Sequence, residues 1–563
     1  MLNKINISPD RQKLIVYLVL TCVTFAVFLQ LNQSDFINLD DNIYVIQNSH
    51  IQSGITLEGI LWAFSTNYAE FWHPLTWLSL MLDYQLYGLN PGGYHLTNLI
   101  LHILSTLLLF WLFNRMTGEI WKSAFVATLF ALHPLHVESV AWIAERKDVL
   151  SAFFWMLTLC LYVYYTEKTV LKRYLLVLFS FVCALMSKSI VITLPVIMIL
   201  LDYWPLKRFE LKRGNLVLWQ LQEKILFFIL SAVFSVVTLF AKYKPSVKYI
   251  TFPLSARMTN ASVSFVTYLE KTFWPHDIAV FYPFHAQIQA WEVIGASLLI
   301  ILISAAVIAT VKRLPYLFVG WLWYAITLLP VIGIIQVGYF AMANRYHYLP
   351  SIGIAIMLAW GIPSLIKDEE IRNKLLFPAV MVFLTIMSVL TWQQCGYWKN
   401  SIELFTHTMQ VTKNNYKAYS QLGYAYGATG KYQQTIDNFS EAIRLKPDDV
   451  MAYSGRGIAY IYLGQYQSAI DDFNKAIGLE PDYTDAYNYR GKAYNDLGKY
   501  QQAIEDYTNA IRLKSDYADA YVGRGAVYRE LGKIVLCCQD EKKACELGYC
   551  GQFKKSKENG YCR

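Results

Sequence analysis

Residues 452–464 read Ala452-Tyr453-Ser454-Gly455-Arg456-Gly457-Ile458-Ala459-Tyr460-Ile461-Tyr462-Leu463-Gly464, and the same pattern returns every 34 residues. Ala-Tyr recurs at Ala418-Tyr419, Ala452-Tyr453, Ala486-Tyr487 and Ala520-Tyr521, with glycines in step at Gly423, Gly457, Gly491 and Gly525. A fixed period of this length marks a solenoid, in which each unit buries its apolar face on the next. N-terminal to it, residues 14 to about 392 form a ladder of apolar runs. The expected fold is all-α: a polytopic membrane bundle over residues 1–400, followed by an α-solenoid.

Composition agrees. A chain of 563 residues that is 55% hydrophobic and 16% charged, with mean hydropathy +0.30, is too apolar for an ordinary soluble protein. The net charge of +8 does not point to nucleic acid, because the basic residues sit in short clusters between apolar runs rather than in one tract with aromatics. Those clusters report topology.

At roughly 20 residues per span, the runs fall near 14–32, 95–114, 122–141, 149–166, 174–188, 189–205, 222–242, 291–311, 315–335, 350–366 and 375–393, about eleven in all. The first reads as a retained anchor, since Leu31-Asn32-Gln33-Ser34 offers no small-x-small cleavage site. Basic clusters fall at every second connection: Lys4, Arg11 and Lys13; Arg115 and Lys122; Lys168, Lys172 and Arg173; Lys207, Arg208, Lys212 and Arg213; Lys312 and Arg313; Lys367, Arg372 and Lys374. The positive-inside rule makes these cytoplasmic. Residues 31–94 contain no Lys or Arg but hold Asp35, Asp40, Asp41, Glu58, Glu70 and Asp83, as a translocated loop should. An odd span number then puts that loop and the repeats on the same, extracytoplasmic side: periplasm in a bacterium, endoplasmic reticulum lumen in a eukaryote. Residues 243–290, flanked by Lys242, Lys244 and Lys248, leave room for a re-entrant or interfacial helix.

The repeat resembles the tetratricopeptide repeat. In the second copy Tyr453, Gly457, Tyr460, Gly464, Ala469, Phe473, Ala476 and Pro481 match its small and large positions in order. The region 401–551 resolves into units at 416–449, 450–483 and 484–517 and a degenerate cap at 518–551, where Cys537 and Glu541 stand at the alanine and aromatic positions. Such an array offers a groove for a protein or peptide; the alternative is a spacer or dimerisation surface. In the cap and the tail 552–563, Cys537, Cys538, Cys545, Cys550 and Cys562 would pair in part in an oxidising compartment, leaving one over.

Two polar constellations interrupt the membrane part. Asp40-Asp41 follows the first span, where a pair of carboxylates suits general-base work and a solvated turn is the alternative. The second runs His133-Pro134-Leu135-His136-Val137-Glu138 through Glu145-Arg146-Lys147-Asp148, at the same membrane face. Ionisable groups at a bilayer boundary face a cavity or a partner. His133, His136 and Glu138 do not have a zinc spacing, so no metal or other cofactor is expected there. Pairing of Glu138 or Glu145 with Arg146 is the structural alternative. His73, Lys188 and Asn344-Arg345-Tyr346-His347-Tyr348 are further polar groups of that face.

Asn38-Leu39-Asp40-Asp41, His73-Pro74-Leu75-Thr76, the His133–Glu138 and Glu145–Asp148 runs, and the repeats behind them together resemble the transmembrane and tetratricopeptide repeat containing family. That family is similar to GT-C glycosyltransferases, which take sugar from a polyprenyl-phosphate carrier. The resemblance covers nearly the whole chain; the small number of repeats departs from the family. It implies a membrane transferase passing a sugar, mannose in animal members, to an extracytoplasmic acceptor such as protein Ser/Thr, by inverting displacement. On that reading Asp41 is the base and Asp40 positions it, or the two exchange these roles. Arg146, Lys147, Lys188 and Arg345 neutralise phosphate, and His73, His133, His136, Glu138 and Asp148 line the substrate pocket. The expected partners are lipid, the lipid-linked sugar and a protein acceptor. The competing class is a non-enzymatic scaffold or a transporter, although the inverted repeats and mid-depth polar groups of a transporter are not seen.

Overall fold

The computed structural model describes residues 8–211, 215–242, 252–284, 288–335, 338, 340–366 and 368–562. Lys4, Lys212, Arg213, Lys244, Lys248 and Lys367, used above to read topology, lie outside the described residues. All named elements among the described residues are helices. The chain divides into two units, Met1–Thr412 and Lys413–Arg563. Helix Ser401–Val411, read above with the array, therefore belongs to the membrane unit, where His407 Nε2 meets the Ile278 carbonyl at 3.1 Å.

Six described helical stretches are long and apolar enough to cross a membrane: Pro9–Gln33, Pro91–Thr117, Ile143–Glu167, Leu218–Ala241, Ala290–Ala309 and Lys374–Tyr397. The expected eleven spans are not confirmed, and the reason is length. Pro315–Leu328 and Ser351–Leu365 have 14 and 15 residues, which at 1.5 Å per residue is about 22 Å against a hydrocarbon core of about 30 Å. Helix Leu171–Ser187 has 17 residues, and the run 189–205 becomes the short helical stretch Ser189–Tyr203. The segment 243–290 does hold a helix, Leu254–Phe273, which is too polar to count as a span. Side chains such as Leu298, Ile301 and Leu302 stay exposed on helix Ala290–Ala309, as a lipid-facing surface requires. The protein is a multi-pass membrane protein.

Local chemistry sets the boundaries that matter. Helix Pro91–Thr117 starts with Pro91 in its first turn and Asn90 Oδ1 accepting Gly92 N–H at 3.1 Å, and it ends at Gly118 with φ +72°. The run 122–141 breaks at Pro134, which has no N–H to give. Helix Ile120–Leu132 stops there, and Pro134–Ala141 leaves at 52°. His133 Nδ1 accepts Leu135 N–H at 3.2 Å and so caps the restart. This elbow turns His133, His136 and Glu138 inward, and all three are buried.

The second unit is the expected array. Helix pairs Tyr416–Ala428 with Tyr432–Leu445, Val450–Tyr462 with Tyr466–Leu479, and Thr484–Asp496 with Tyr500–Leu513 repeat in register. Ala518–Glu530, Ile534–Glu546 and Gly551–Glu558 close the end. Gly430, Gly464, Gly498 and Gly532 turn each pair at φ between +70° and +75°, a conformation costly to side chains. Phe439, Phe473 and Tyr507 fill the space between helices. A ladder unseen in the repeat pattern locks neighbours together. Arg456, Arg490 and Arg524 each fork onto Asp472, Asp506 and Asp540 at 2.6–2.9 Å. Their Nη1 atoms reach back to Ser440, Asn474 and Thr508 of the preceding helix pair at 2.6–3.0 Å. In the cap, Glu541 takes the aromatic position and is paired with Arg529. Two disulfides, Cys538–Cys562 and Cys545–Cys550, close the tail and leave Cys537 free and buried.

Candidate active site

Asp41 is fully buried, and both its oxygens are taken. Ile37 N–H donates to Oδ2 at 2.9 Å, and Ala144 N–H donates to Oδ1 at 2.8 Å. The second bond ties the loop after the first span to the head of stretch Ile143–Glu167. Burial outweighs these donors and pushes the Asp41 carboxyl up to about 7. Asp40 is only half-buried. Burial raises its pKa, while Lys147 and Arg345 favour the charged form and Glu145 opposes it. Asp41 therefore anchors the loop, and Asp40 is the carboxylate presented to the cations.

Those cations converge on one residue. Glu145 receives Lys147 Nζ at 3.3 Å, Lys188 Nζ at 3.1 Å and Arg345 Nε at 3.3 Å. Arg345 also binds Glu138, whose other oxygen takes Asn344 Nδ2 at 3.1 Å. Lys188 also binds Asp148, which accepts Ser139 Oγ–H at 3.2 Å. Lys147 stands over the Tyr44 and Phe71 rings at 4.8 and 5.4 Å. Arg345 is flanked by Trp142, Phe340 and Tyr346 at 5.0–5.3 Å. Such aromatic walls hold cations without neutralising them. Asp148, Ser151, Thr193, Thr327 and Arg345 line a small cavity together with Ile190, Leu349 and Pro350.

The structure thus brings together Asp40, Glu138, Lys147, Asp148, Lys188 and Arg345. His73 lies beside them, buried, 4.6 Å from Trp77 and 5.7 Å from Tyr44, ring centre to ring centre. Arg146 is not with them. Its guanidinium is wholly buried between Asp83 (2.6 Å), Ser79 (2.8 Å), Tyr94 O (2.9 Å) and Asn98, so it braces the loop instead of facing a phosphate. Nor does Arg146 pair with Glu138 or Glu145, which go to Arg345. His133 and His136 form a separate buried group with His347, their nitrogens within 4.8 Å of one another. Glu145 is the residue at the centre of the site that sequence reasoning left out. Its place in the dense run Glu145-Arg146-Lys147-Asp148 was the available signal.

Comparison with known proteins bears on this arrangement. The tetratricopeptide-repeat models match residues 423–461, 450–483 and 491–532. Human protein O-mannosyl-transferase TMTC1 is 26% identical over 69% of this chain and 50% of its own length. Human TMTC4 is 24% identical over 72% and 63%, and Caenorhabditis elegans protein O-mannosyl-transferase F38B6.6 is 26% identical over 65% and 52%. The chain thus spans about half to two thirds of the length of these relatives. The solved structure of MamA is 29% identical over 28% of this chain and 90% of its own, with TM-score 0.25. The chain is a multi-pass membrane protein that carries tetratricopeptide repeats and is similar to proteins named as protein O-mannosyl-transferases.

Proposed function

We propose that the protein transfers a sugar, mannose by analogy with its relatives' names, from a polyprenyl-phosphate carrier to a Ser or Thr hydroxyl of an extracytoplasmic protein. One observation carries the reading: Asp40 is half-buried beside Lys147 and Arg345, two of the three cations that crowd Glu145. The acceptor oxygen attacks the anomeric carbon as the bond to the phosphate oxygen breaks. The hydroxyl proton passes to Asp40, and configuration inverts. The phosphate gains one negative charge as it leaves, and Lys188 and Arg345 are placed to stabilise that charge by sharing it with their carboxylates. No metal is asked of the transfer step.

Of the two assignments open for the aspartate pair, this reading takes Asp40 as the base. Asp41, with both oxygens engaged, is a positioning residue. The orientation, with the N-terminus cytoplasmic and both the acidic loop and the repeats outside, is part of the proposal; the positive clusters and the disulfide-closed tail support it. The repeats then hold the protein acceptor.

The test uses membranes carrying the full chain, labelled polyprenyl-phosphate mannose and Ser/Thr-containing protein. Asp40→Asn is expected to lower transfer by about 10²-fold or more with membrane insertion intact. Asp41→Asn is expected to retain measurable transfer in whatever fraction folds. Undiminished turnover in Asp40→Asn removes it as the base. Absence of transfer from any polyprenyl-phosphate sugar by the wild type returns the protein to the scaffold class.

A further inference from the structure

The three buried histidines are not used by this mechanism. We propose that His133, His136 and His347 bind one borderline transition-metal ion, zinc or copper, which ties the elbow carrying Glu138 to the turn carrying Arg345. Hydrogen bonds on the far side of each ring fix which nitrogen carries the proton. His136 Nδ1 lies 2.7 Å from the Phe130 carbonyl, so it must be the N–H and Nε2 keeps the lone pair. Thr272 Oγ1 gives its hydrogen to the Tyr268 carbonyl at 2.8 Å, so at 2.7 Å from His347 Nε2 it accepts, and His347 Nδ1 keeps the lone pair. Both lone pairs, His136 Nε2 and His347 Nδ1, are buried without a hydrogen-bond partner among the described residues.

Two unprotonated imidazole nitrogens left unpaired in the interior call for an electrophile, because a buried acceptor without a donor is costly. His133 completes the set. Its Nε2 is held at 3.1 Å from the Thr272 carbonyl, and its Nδ1 becomes a third ligand on releasing the 3.2 Å bond from Leu135 N–H. Metal–nitrogen bonds of about 2.1 Å place ligand nitrogens roughly 3.4 Å apart. Binding therefore draws together rings whose centres lie 5.2–5.6 Å apart. The outer shell has the form a metal site needs: each ring's other nitrogen is oriented by a carbonyl or hydroxyl, and Thr272 alone orients two of the three. Three neutral imidazoles suit zinc or copper and not magnesium, calcium or manganese, which require oxygen ligands. The nearby carboxylate, Glu138, is already taken by Arg345 and Asn344. The sequence spacing concealed the site because His347 enters from a distant turn.

The experiment measures metal in the full chain, purified in detergent without chelator or histidine tag, then stripped and separately given zinc, copper(I) or magnesium. The expected result is about one zinc or copper per chain and no magnesium, with a higher melting temperature when loaded. The double variant His136→Gln/His347→Gln is expected to hold no bound metal. Thr272→Val leaves all three ligands in place and is expected to weaken metal binding about tenfold. If the double variant does not fold, the affinity of Thr272→Val against wild type decides. Wild type that takes up neither metal, or Thr272→Val with unchanged affinity, overturns the proposal and leaves a buried water donating to both lone pairs. The readout is metal content, so it stands or falls independently of sugar transfer.

Discussion

At the scale of the residue, Asp41 makes the cost of an anchoring carboxylate measurable. Its folded form titrates at about 7 against an ordinary 3.8, so the folded state holds its proton more tightly than the unfolded state. The associated stability is fully present below pH 3.8 and is lost as pH rises through 7. Asp41→Asn removes the titration and also replaces one of two acceptors with a donor. One of the N–H groups of Ile37 and Ala144 is then left unpaired, at a cost of about 1–3 kcal/mol. Melting curves in detergent should show the variant less stable at pH 5, with the wild type's advantage shrinking as pH rises to 8. A gap that is constant across that range contradicts the raised pKa. The sequence showed where the acidic pair sits but not which member is buried, because Asp41's second donor is 103 residues away. Arg146 was misread for a similar reason: its partners Asp83 and Asn98 stand 63 and 48 residues upstream. Nothing in the run Glu145–Asp148 says which cation turns into the loop and which faces the cavity.

At the scale of the element, small residues decide how close helices approach, and this was the most legible part of the chain. A side chain begun at Gly455 would have its Cβ 2.4 Å from the Phe439 ring, and one at Gly457 would lie 2.9 Å from the Phe473 ring. Both rings are buried and cannot swing away. Gly455→Val must therefore separate one helix pair from the previous one, at a cost of about 1–3 kcal/mol. Limited proteolysis of the full chain should show cleavage near this joint at lower protease doses, with the membrane helices spared. An unchanged digestion pattern would show that the ladder of Arg456, Arg490 and Arg524 holds the repeats without ring packing. Within the membrane unit, elements were legible as apolar runs but not as spans. Hydropathy registers the run 122–141, yet the missing N–H of Pro134 breaks it, and the runs 315–335 and 350–366 contain helices too short to cross a full hydrocarbon core.

At the scale of the whole molecule, the division into a membrane body and a repeat array was plain in the sequence, because periods of 34 residues and apolar runs leave different signatures. What the array meets depends on its compartment, and the tail cysteines report that directly. Cys538–Cys562 and Cys545–Cys550 persist where the surroundings are oxidising and are reduced in cytosol. Sealed vesicles or cells treated with a thiol-alkylating reagent, then denatured, should leave these four cysteines unlabelled until a reductant is added. Cys537, buried and unpaired, should label on denaturation alone. Loss of both disulfides by Cys538→Ser/Cys545→Ser should destabilise the cap by about 2–4 kcal/mol while leaving the first two repeats protected from protease. Four reactive thiols in the wild type before reduction would place the array in the cytosol. The repeats would then be cut off from an acceptor modified at Asp40, and the transferase reading would lose the reason for joining its two parts.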